Sequence, residues 1–540
     1  MSDDEVVPFV GTPSEPGIDP WVVAGSAVLL AGLGLSLATL NSFPPVYADE
    51  SHIASAVSSW VAGDGLRPTV LDGSGVYDGT TSWWHPYLGT LHFVLADLIG
   101  PTTLTTYRLA AFAVALVALV VFGLSLRSRF GSAAGLSGPA ALALCAGFFA
   151  ASHYVRWDSM AFLWVAIALA VLWRGPPTLV VALIVGVFLG VALDVQLSVA
   201  ALVPGAAALV AWERSQRWTR LALFAAGCAL GVAVYLGVHM LPNPAEAREQ
   251  FDAVAGPGYR IPAVAALVDH DSRALSDQLV RYRSMIALSA PLGSLIVMAV
   301  GCVAAIFSLA RVTSSYPVQA VPGILLLGYI PGLALIQGNW GTPMYAWYSL
   351  PLALAAMAQA ARLVPGPARA RARGPAAILL SVALAALAAQ LMDLRLASDS
   401  VTKRPAVRTA LARELRASDT VLGETPYWWI VDQARFRSNS VLWLDQYRHH
   451  VDLAGAFDRA CPSVVILDNA WLSHYGAGRS PFPNFTPPRS ANKQELLTLL
   501  RSGFDRKARV SGDDWWVELW RRRAACRAPT RAALTSPGEQ

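Results

Sequence analysis

Charged residues are scarce in this chain of 540 residues, of which 14% are charged and 55% are hydrophobic. A soluble domain usually carries about 25% charged residues, so the composition excludes an ordinary soluble protein. The net charge of +5 is also small. It comes mostly from arginines in short segments between apolar runs, and it does not indicate nucleic acid as a partner.

Cysteine is scarce as well, and the spacing of the five cysteines excludes a zinc ribbon, since there is no CxxC pair and no His/Cys cluster. Cys145, Cys228 and Cys302 lie inside apolar runs, where a free thiol behaves as a small apolar group. Cys461 and Cys526 lie in the polar C-terminal part. They would be able to pair in an oxidising compartment, and the sequence leaves that disulfide open.

Apolar runs dominate what is present, and the mean hydropathy is +0.46. A membrane-spanning helix needs roughly 20 apolar residues because backbone polar groups cannot stay unpaired in lipid. The run 177–211 predicts two short helices broken near Asp194 and Gln196, and segment 87–100 is short for a span and could be re-entrant or interfacial. Together with these, the remaining runs predict about 11–13 transmembrane helices: 21–40, 107–126, 133–152, 157–173, 220–241, 285–310, 318–337, 344–362 and 375–396.

Arginines in short loops predict the orientation, because cytoplasmic loops are enriched in basic residues. The N-terminal tail 1–20 is then cytoplasmic, and loops 41–86 and 242–284 and residues 397–540 lie on the outer face of the cell membrane. This assignment is consistent only if 87–100 does not cross. The three clusters that fix the cytoplasmic side are Arg127 with Arg129; Arg214, Arg217 and Arg220; and Arg362, Arg369, Arg371 and Arg373.

The chain therefore divides into the tail 1–20, a transmembrane domain 21–396 and a C-terminal domain 397–540. The last part contains short β-like runs at 421–422, 464–467 and 515–519, and helix-like stretches at 405–416 and 493–502. This alternation predicts a small α/β domain on a polytopic α-helical membrane protein.

The first outer loop carries paired acids, Asp49 and Glu50, at the start of an amphipathic pattern in which Ile53, Val57 and Trp60 share a face. The pattern predicts a helix on the membrane surface. Paired acids there are able to take a proton from a hydroxyl group or to bind a divalent cation. They also suit a plain helix start, as an N-cap and a favourable first-turn acid, and the loop alone favours that interpretation.

The same loop ends in Trp83, Trp84 and His85. Two tryptophans are typical of the membrane interface, and they also suit a wall against which a sugar ring packs. The interface is the simpler explanation. His85 is a candidate contact for a phosphate or a metal ion.

Two further clusters lie at predicted helix starts. Arg156 and Asp158 precede an apolar helix, where Asp158 could simply be a cap and Arg156 has the planar fork that matches phosphate oxygens. Residues 338–351 form an aromatic connection that contains Tyr345 and Tyr348. Judged alone, this connection is better explained as an interface belt.

The order of these pieces carries a resemblance: an Asp-Glu pair after helix one, a His-Pro at 85–86, Tyr-Arg-Leu at 107–109, Arg-Trp-Asp at 156–158 and Tyr-Ser-Leu-Pro at 348–351. Over about residues 20–396 the chain resembles the polyprenyl-phosphate-sugar-dependent membrane glycosyltransferases of the GT-C class. It looks closest to the branch of protein O-mannosyltransferases and lipid A aminoarabinose transferases.

The resemblance implies an inverting sugar transfer from a polyprenyl-phosphate donor to an acceptor on protein, lipid or glycan, at the outer surface among membrane lipids. Asp49 and Asp158 match the family's catalytic acids. By the same resemblance, Glu50, His85 and Arg156 take neighbouring places as metal or lipid-phosphate contacts, and Tyr345 and Tyr348 lie near the donor. The chain departs from the family at 193–196, where a lysine is common and Leu-Asp-Val-Gln stands instead.

Two alternatives remain open. A transporter or flippase usually has charged residues near the bilayer centre, and here only Asp194 is placed that way. A non-catalytic scaffold in envelope glycan assembly fits if Asp49 and Asp158 are merely caps.

Overall fold

The structure is a computed structural model. It describes residues 19–44, 46, 48–74, 76–78, 81–82, 85–255, 289–312, 316–336, 345–396, 405–431, 435–449, 451–469, 471–472 and 493–524.

Helices make up most of the described chain. In the membrane part they are α1 (Pro20–Thr39), α2 (Ala48–Val61), α3 (Tyr87–Ile99), α4 (Leu104–Phe130), α5 (Ser132–Leu144), α6 (Ala146–Ala151), α7 (Asp158–Leu172), α8 (Leu179–Val191), α9 (Val203–Val210), α10 (Arg217–Tyr235), α11 (Pro244–Ala255), α12 (Ser289–Leu309), α13 (Val321–Ile336), α14 (Leu350–Leu363) and α15 (Ala368–Leu396). Short 3-10 helices precede or join several of them, at Thr69–Leu71, Ala192–Asp194, Leu197–Leu202, Val318–Ala320 and Trp347–Ser349.

The helices confirm a multi-pass membrane protein. Within the described residues, six of them are long and apolar enough to cross a bilayer, and five shorter apolar helices accompany them. Their outward faces carry large apolar side chains, such as Leu30, Val120, Ile184 and Leu230, each more than half exposed. Exposing such apolar surface to water costs roughly 25 cal/mol per Å² of free energy, whereas contact with lipid chains does not carry this cost.

Several predicted spans are not single α-helices, and two of them show how. The run 133–152 contains Pro139 and breaks at Cys145, whose backbone is extended (ψ 134°), so α5 and α6 are separate. The run 344–362 enters the membrane part through the 3-10 helix Trp347–Ser349, and its α-helix begins at Leu350.

The predicted break in 177–211 is confirmed and explains its two polar residues. After α8 the chain turns through Ala192–Asp194 and returns through Leu197–Leu202 into α9. The carboxylate of Asp194 accepts backbone N–H groups of Tyr87 (3.2 Å) and Leu88 (3.3 Å). Asp194 therefore caps the N-terminus of α3 from a distant part of the chain, where a negative charge is favourable.

Helix α3 has 13 residues, fewer than the roughly 20 that a membrane span needs, and it packs beside α2 and α4. Tyr87 at its start lies edge-on to Trp60, with ring centroids 5.2 Å apart. Asp97 near its end accepts the hydroxyl of Tyr107, which also contacts Ser58 of α2. One face of α3 is apolar and exposed: Leu88, Leu91, Leu95, Leu98 and Ile99. A short helix with one exposed apolar face is typical of the membrane interface.

Helices α8 and α10 approach each other through glycines. A Cβ atom at Gly190 would lie 2.3 Å from the carbonyl oxygen of Cys228, and one at Gly227 would lie 2.3 Å from that of Leu183. Small residues allow this close backbone contact, on which helix association in lipid depends.

We expect Gly190→Leu to destabilise the folded protein by about 1–3 kcal/mol, the usual cost of overpacking. Gly34→Leu is the matched control, since a Cβ at Gly34 would meet nothing within 4 Å. Thermal unfolding in detergent, read by loss of the monodisperse species, measures the difference. Equal stability of the two variants would contradict the close α8–α10 contact.

The C-terminal domain is the predicted α/β unit. Its sheet has the order β2-β1-β3-β5-β4, with the first three strands parallel and the last three antiparallel. Its strands and helices are β1 (Val421–Gly423), β2 (Phe436–Ser438), β3 (Val464–Asp468), β4 (Phe504–Ser511), β5 (Trp516–Arg522), α16 (Pro405–Glu414), α17 (Ser440–His449), α18 (Leu453–Ala460) and α19 (Lys493–Gly503). Strand β4 was not predicted because, as an exposed edge strand, it is rich in charge.

The first loop and the C-terminal domain share one apolar core, so they lie on the same side of the membrane. Ile53 and Val57 of α2 and Tyr107 of α4 belong to the same buried cluster as Trp428 and Val465. The hydroxyl of Ser51 donates to the carbonyl of Thr425 (2.8 Å).

The sequence predicted a surface helix whose apolar face contacts lipid, but the apolar face of α2 packs into protein. The serines Ser51, Ser55 and Ser59 of α2 are buried too. The amphipathic pattern was recognised correctly. The prediction took lipid as the partner of the apolar face, whereas the C-terminal domain is that partner.

Cys461 is disulfide-bonded, whereas Cys145, Cys228 and Cys302 are free. Cys526, the partner that the sequence suggests for Cys461, lies outside the described residues.

Candidate functional site

Asp49 lies in the first turn of α2 and is held by an arginine. Its Oδ2 is 3.0 Å from Nη1 of Arg156, which belongs to the turn between α6 and α7. The side chain of Asp49 is 40% exposed, while that of Arg156 is 3% exposed. The pair therefore fixes a solvent-accessible carboxylate on a buried cation.

Asp158 holds the other side of the same guanidinium. Its Oδ2 is 3.0 Å from Nε of Arg156, as an electrostatic contact rather than an aligned hydrogen bond. Asp158 is the first residue of α7, where the helix dipole favours a carboxylate. These contacts bring Asp49, Arg156 and Asp158 together.

Tyr348 extends this chain of contacts beyond Asp158. Its hydroxyl donates to Oδ1 of Asp158 and lies 3.4 Å from Nε2 of Gln196. Tyr348 is buried and packs edge-on against Phe162, with ring centroids 5.3 Å apart. We call the series Asp49–Arg156–Asp158–Tyr348–Gln196 the acid relay; only its first member is substantially exposed.

Glu50, next to Asp49, faces the opposite way into a buried ion pair. Nε of Arg108 donates to Oε1 at 2.9 Å, and Nη2 of Arg108 donates to Oε2 at 2.9 Å. Both side chains are 0% exposed. Oε1 also accepts the N–H of Val155 at 3.0 Å. Arg108 further donates to the carbonyls of Leu40 and Pro44. This geometry favours a structural role for Glu50 over the expected contact with substrate or metal.

Two histidines lie beside the acid relay. His85 is 7% exposed and edge-on to Trp157, the residue after Arg156, with ring centroids 6.2 Å apart. Burial, helped by the neighbouring His52 and His239, lowers the pKa of His85 to about 3, so its imidazole is neutral at pH 7. Burial also lowers the pKa of His52, against the opposing effect of Asp49. Nε2 of His52 and Nδ1 of His85 have no hydrogen-bond partner among the described residues.

The remaining sequence-based candidates divide into two groups. Tyr345 lies next to Tyr348, with ring centroids 5.7 Å apart, and its carbonyl accepts the hydroxyl of Tyr329. Trp83 and Trp84 lie outside the described residues, as do 338–344 of the aromatic connection and 256–288 of the long outer loop.

A divalent cation does not fit Asp49 and Glu50 jointly. Glu50 already uses both oxygens on Arg108 and Val155, and Asp49, the residue before it in the same turn, contacts Arg156. Within the described part of the chain, no group of three or more His, Cys, Asp or Glu side chains has a metal-binding arrangement.

Sequence reasoning missed two members of this site. Arg108 was noticed only as part of a short Tyr-Arg-Leu motif, without its partner Glu50. Gln196 was noticed only as a break in an apolar run. A polar side chain inside a hydrophobic stretch signals that something buried must bind it, and that signal was available at both positions.

Comparisons with known proteins are sparse. No family model and no curated protein matches the chain. Among solved structures, the chain is similar to the crystal structure of ArnT from Cupriavidus metallidurans in the apo state, with a TM-score of 0.48 and 16% sequence identity over 95% of this chain and 99% of that one. At this identity the similarity concerns the overall fold alone.

Proposed function

We propose that the chain is a membrane glycosyltransferase of the GT-C class. It would move a sugar from a polyprenyl-phosphate donor to an acceptor hydroxyl, with inversion, at the outer face of the cell membrane. The observation that supports this most directly is the acid relay, which ends in one exposed carboxylate, that of Asp49. The motif resemblance supplies the donor class and the side of the membrane.

Asp49 takes the role of acid/base. A carboxylate within reach of a substrate hydroxyl is able to orient it and to accept its proton as the bond forms. The acceptor oxygen attacks the anomeric carbon of the sugar, the bond from that carbon to the phosphate oxygen breaks, and the hydroxyl proton passes to Asp49. The polyprenyl phosphate departs as an anion.

Arg156 acts as a positioning residue in this proposal. Both sides of its guanidinium face carboxylates, Asp49 and Asp158. That arrangement favours holding Asp49 over the contact with lipid phosphate that the sequence suggested. Asp158 and Tyr348 in turn orient Arg156, so the three buried side chains stabilise one geometry of the exposed acid.

The transporter alternative is weakened by the position of Asp194. From the apolar run, the sequence placed Asp194 near the bilayer centre. In the structure Asp194 lies in a turn and caps the N-terminus of α3. A charge that satisfies a helix end needs no transported ion to explain it. The scaffold alternative requires Asp49 to be a simple cap and leaves its exposed oxygens without a role.

The test is sugar transfer in sealed vesicles that contain the purified chain, across a panel of labelled polyprenyl-phosphate sugars and acceptors. An enzyme creates a new covalent bond between label and acceptor, with release of the polyprenyl phosphate. A flippase moves the label across the bilayer and leaves it on its lipid. Movement without bond transfer would exclude the proposed function.

Within this proposal we expect Tyr348→Phe to slow transfer by roughly tenfold, as the loss of one charge-assisted hydrogen bond implies. The phenyl ring keeps its contact with Phe162, but Asp158 and Gln196 lose a buried partner, so the free energy of unfolding should fall by about 1–3 kcal/mol. Steady-state kinetics should show a lower kcat at nearly unchanged KM. Wild-type kcat in this variant would show that the hydroxyl does not position Asp158.

A further inference from the structure

A cavity opens at the end of the membrane part that is opposite Asp49. Helix α4 begins near Arg108, beside Glu50, and ends near Arg129, while α7 begins at Asp158 and ends before Trp173. The guanidinium of Arg129 donates to the carbonyl of Trp173, which joins the two helix ends. The cavity between them has a volume of about 480 Å³.

One wall of the cavity belongs to the lipid-facing surface. Val121, Leu124 and Ala170 line it, and Leu124 is 58% exposed. The groove between α4 and α7 is therefore open to the hydrocarbon region, and an acyl chain is the complementary occupant there.

The other wall is positively charged. Arg129 and Arg174 line the cavity, and none of its described lining residues is acidic. Arg174 is exposed and makes no ion pair within the described part of the chain. Arg362 lies beside them, where it donates to the carbonyl of Arg129. Arginine forks near a membrane surface bind phosphate oxygens.

Two serines in the cavity present oxygen atoms rather than protons. The hydroxyl of Ser125 donates to the carbonyl of Val121 at 2.9 Å, and that of Ser128 donates to the carbonyl of Ser125 at 2.8 Å. Because these protons are used within the helix, each Oγ is left to accept a hydrogen bond. A head group with hydroxyl groups supplies the matching donors.

We propose that this cavity binds a phosphatidylglycerol molecule of the membrane leaflet opposite Asp49. Its phosphate lies between Arg129 and Arg174, its glycerol hydroxyls donate to Ser125 or Ser128, and one acyl chain follows Val121 and Leu124. The inference rests on the membrane fold and does not depend on the proposed transferase activity.

The test is lipid retention by the purified full-length chain from mixed phosphatidylglycerol and phosphatidylcholine, counted by native mass spectrometry. We expect the wild type to retain phosphatidylglycerol selectively, and Arg174→Gln to reduce that preference about tenfold. Arg174 is exposed, so this variant should fold normally.

Arg127→Gln is the matched control, because it removes the same charge from the same end of α4. The β-carbon of Arg127 faces Gly135 on α5, away from the cavity, and this variant should retain the lipid preference. Equal retention of both lipids by the wild type, or equal losses in the Arg174 and Arg127 variants, would overturn the proposal. Binding of inorganic phosphate by the wild type without retention of phosphatidylglycerol would also overturn it, because the cavity would then be a site for free phosphate.

Discussion

Asp49→Asn should abolish sugar transfer while the protein keeps its fold. Asparagine has nearly the same shape but cannot accept a proton, and loss of a general base typically costs about 10²- to 10⁴-fold in rate. Thermal unfolding should change little, because Asp49 is the exposed end of the acid relay and its partner Arg156 keeps Asp158. The measurement is the transfer rate in vesicles at saturating donor, together with the unfolding temperature of the same preparation.

Asp64→Asn is the control for this variant. Asp64 lies just after α2, is exposed and has no side-chain partner in the described residues, so the same chemical change should leave transfer at the wild-type rate. A fall in both variants would indicate a general effect of charge near the membrane surface. Wild-type transfer by Asp49→Asn would remove Asp49 from the mechanism and restore the interpretation of a simple helix start.

Glu50→Gln should have the largest effect on stability. The substitution leaves Arg108 charged and buried without a carboxylate, and breaking a buried pair from one side typically costs about 3–5 kcal/mol. It also weakens the hydrogen bond to the N–H of Val155, which fixes the turn that carries Arg156. We therefore expect a lower free energy of unfolding and a secondary loss of transfer activity.

Two comparisons sharpen this experiment. The double variant Glu50→Leu with Arg108→Met removes both charges, and it should be more stable than Glu50→Gln because no unpaired charge remains. Asp505→Asn breaks the exposed pairs with Lys507 and Arg523 and should change stability little. If Glu50→Gln unfolded like Asp505→Asn, the pair with Arg108 would not be the buried element described here.

These two predictions separate neighbouring acids that the sequence treated alike. Asp49 and Glu50 were both candidates for substrate or metal contact, because each is an acid at the start of a helix. Successive residues of a helix point about 100° apart, so one is able to face solvent while the other faces the core. Which one does so depends on Arg108 and Arg156, which come from different helices and turns.

The sequence by itself determined the membrane class, the positions of most apolar helices, the break near Asp194 and the α/β character of the C-terminal domain. These are local properties: run length, periodicity and the placement of polar residues within a window of about 20 residues. The candidate acids were found the same way, by their positions at helix starts.

Only the tertiary structure decided what each side chain contacts. Asp158 meets Tyr348 across 190 positions of sequence, and Ser51 meets Thr425 across 374. The amphipathic pattern of α2 required an apolar partner and did not say whether lipid or protein would supply it. The C-terminal domain supplied it, while the exposed leucines of α3 remained for the membrane. Local patterns show that a surface must be buried. Only the packing of distant segments determines whether protein or lipid buries it.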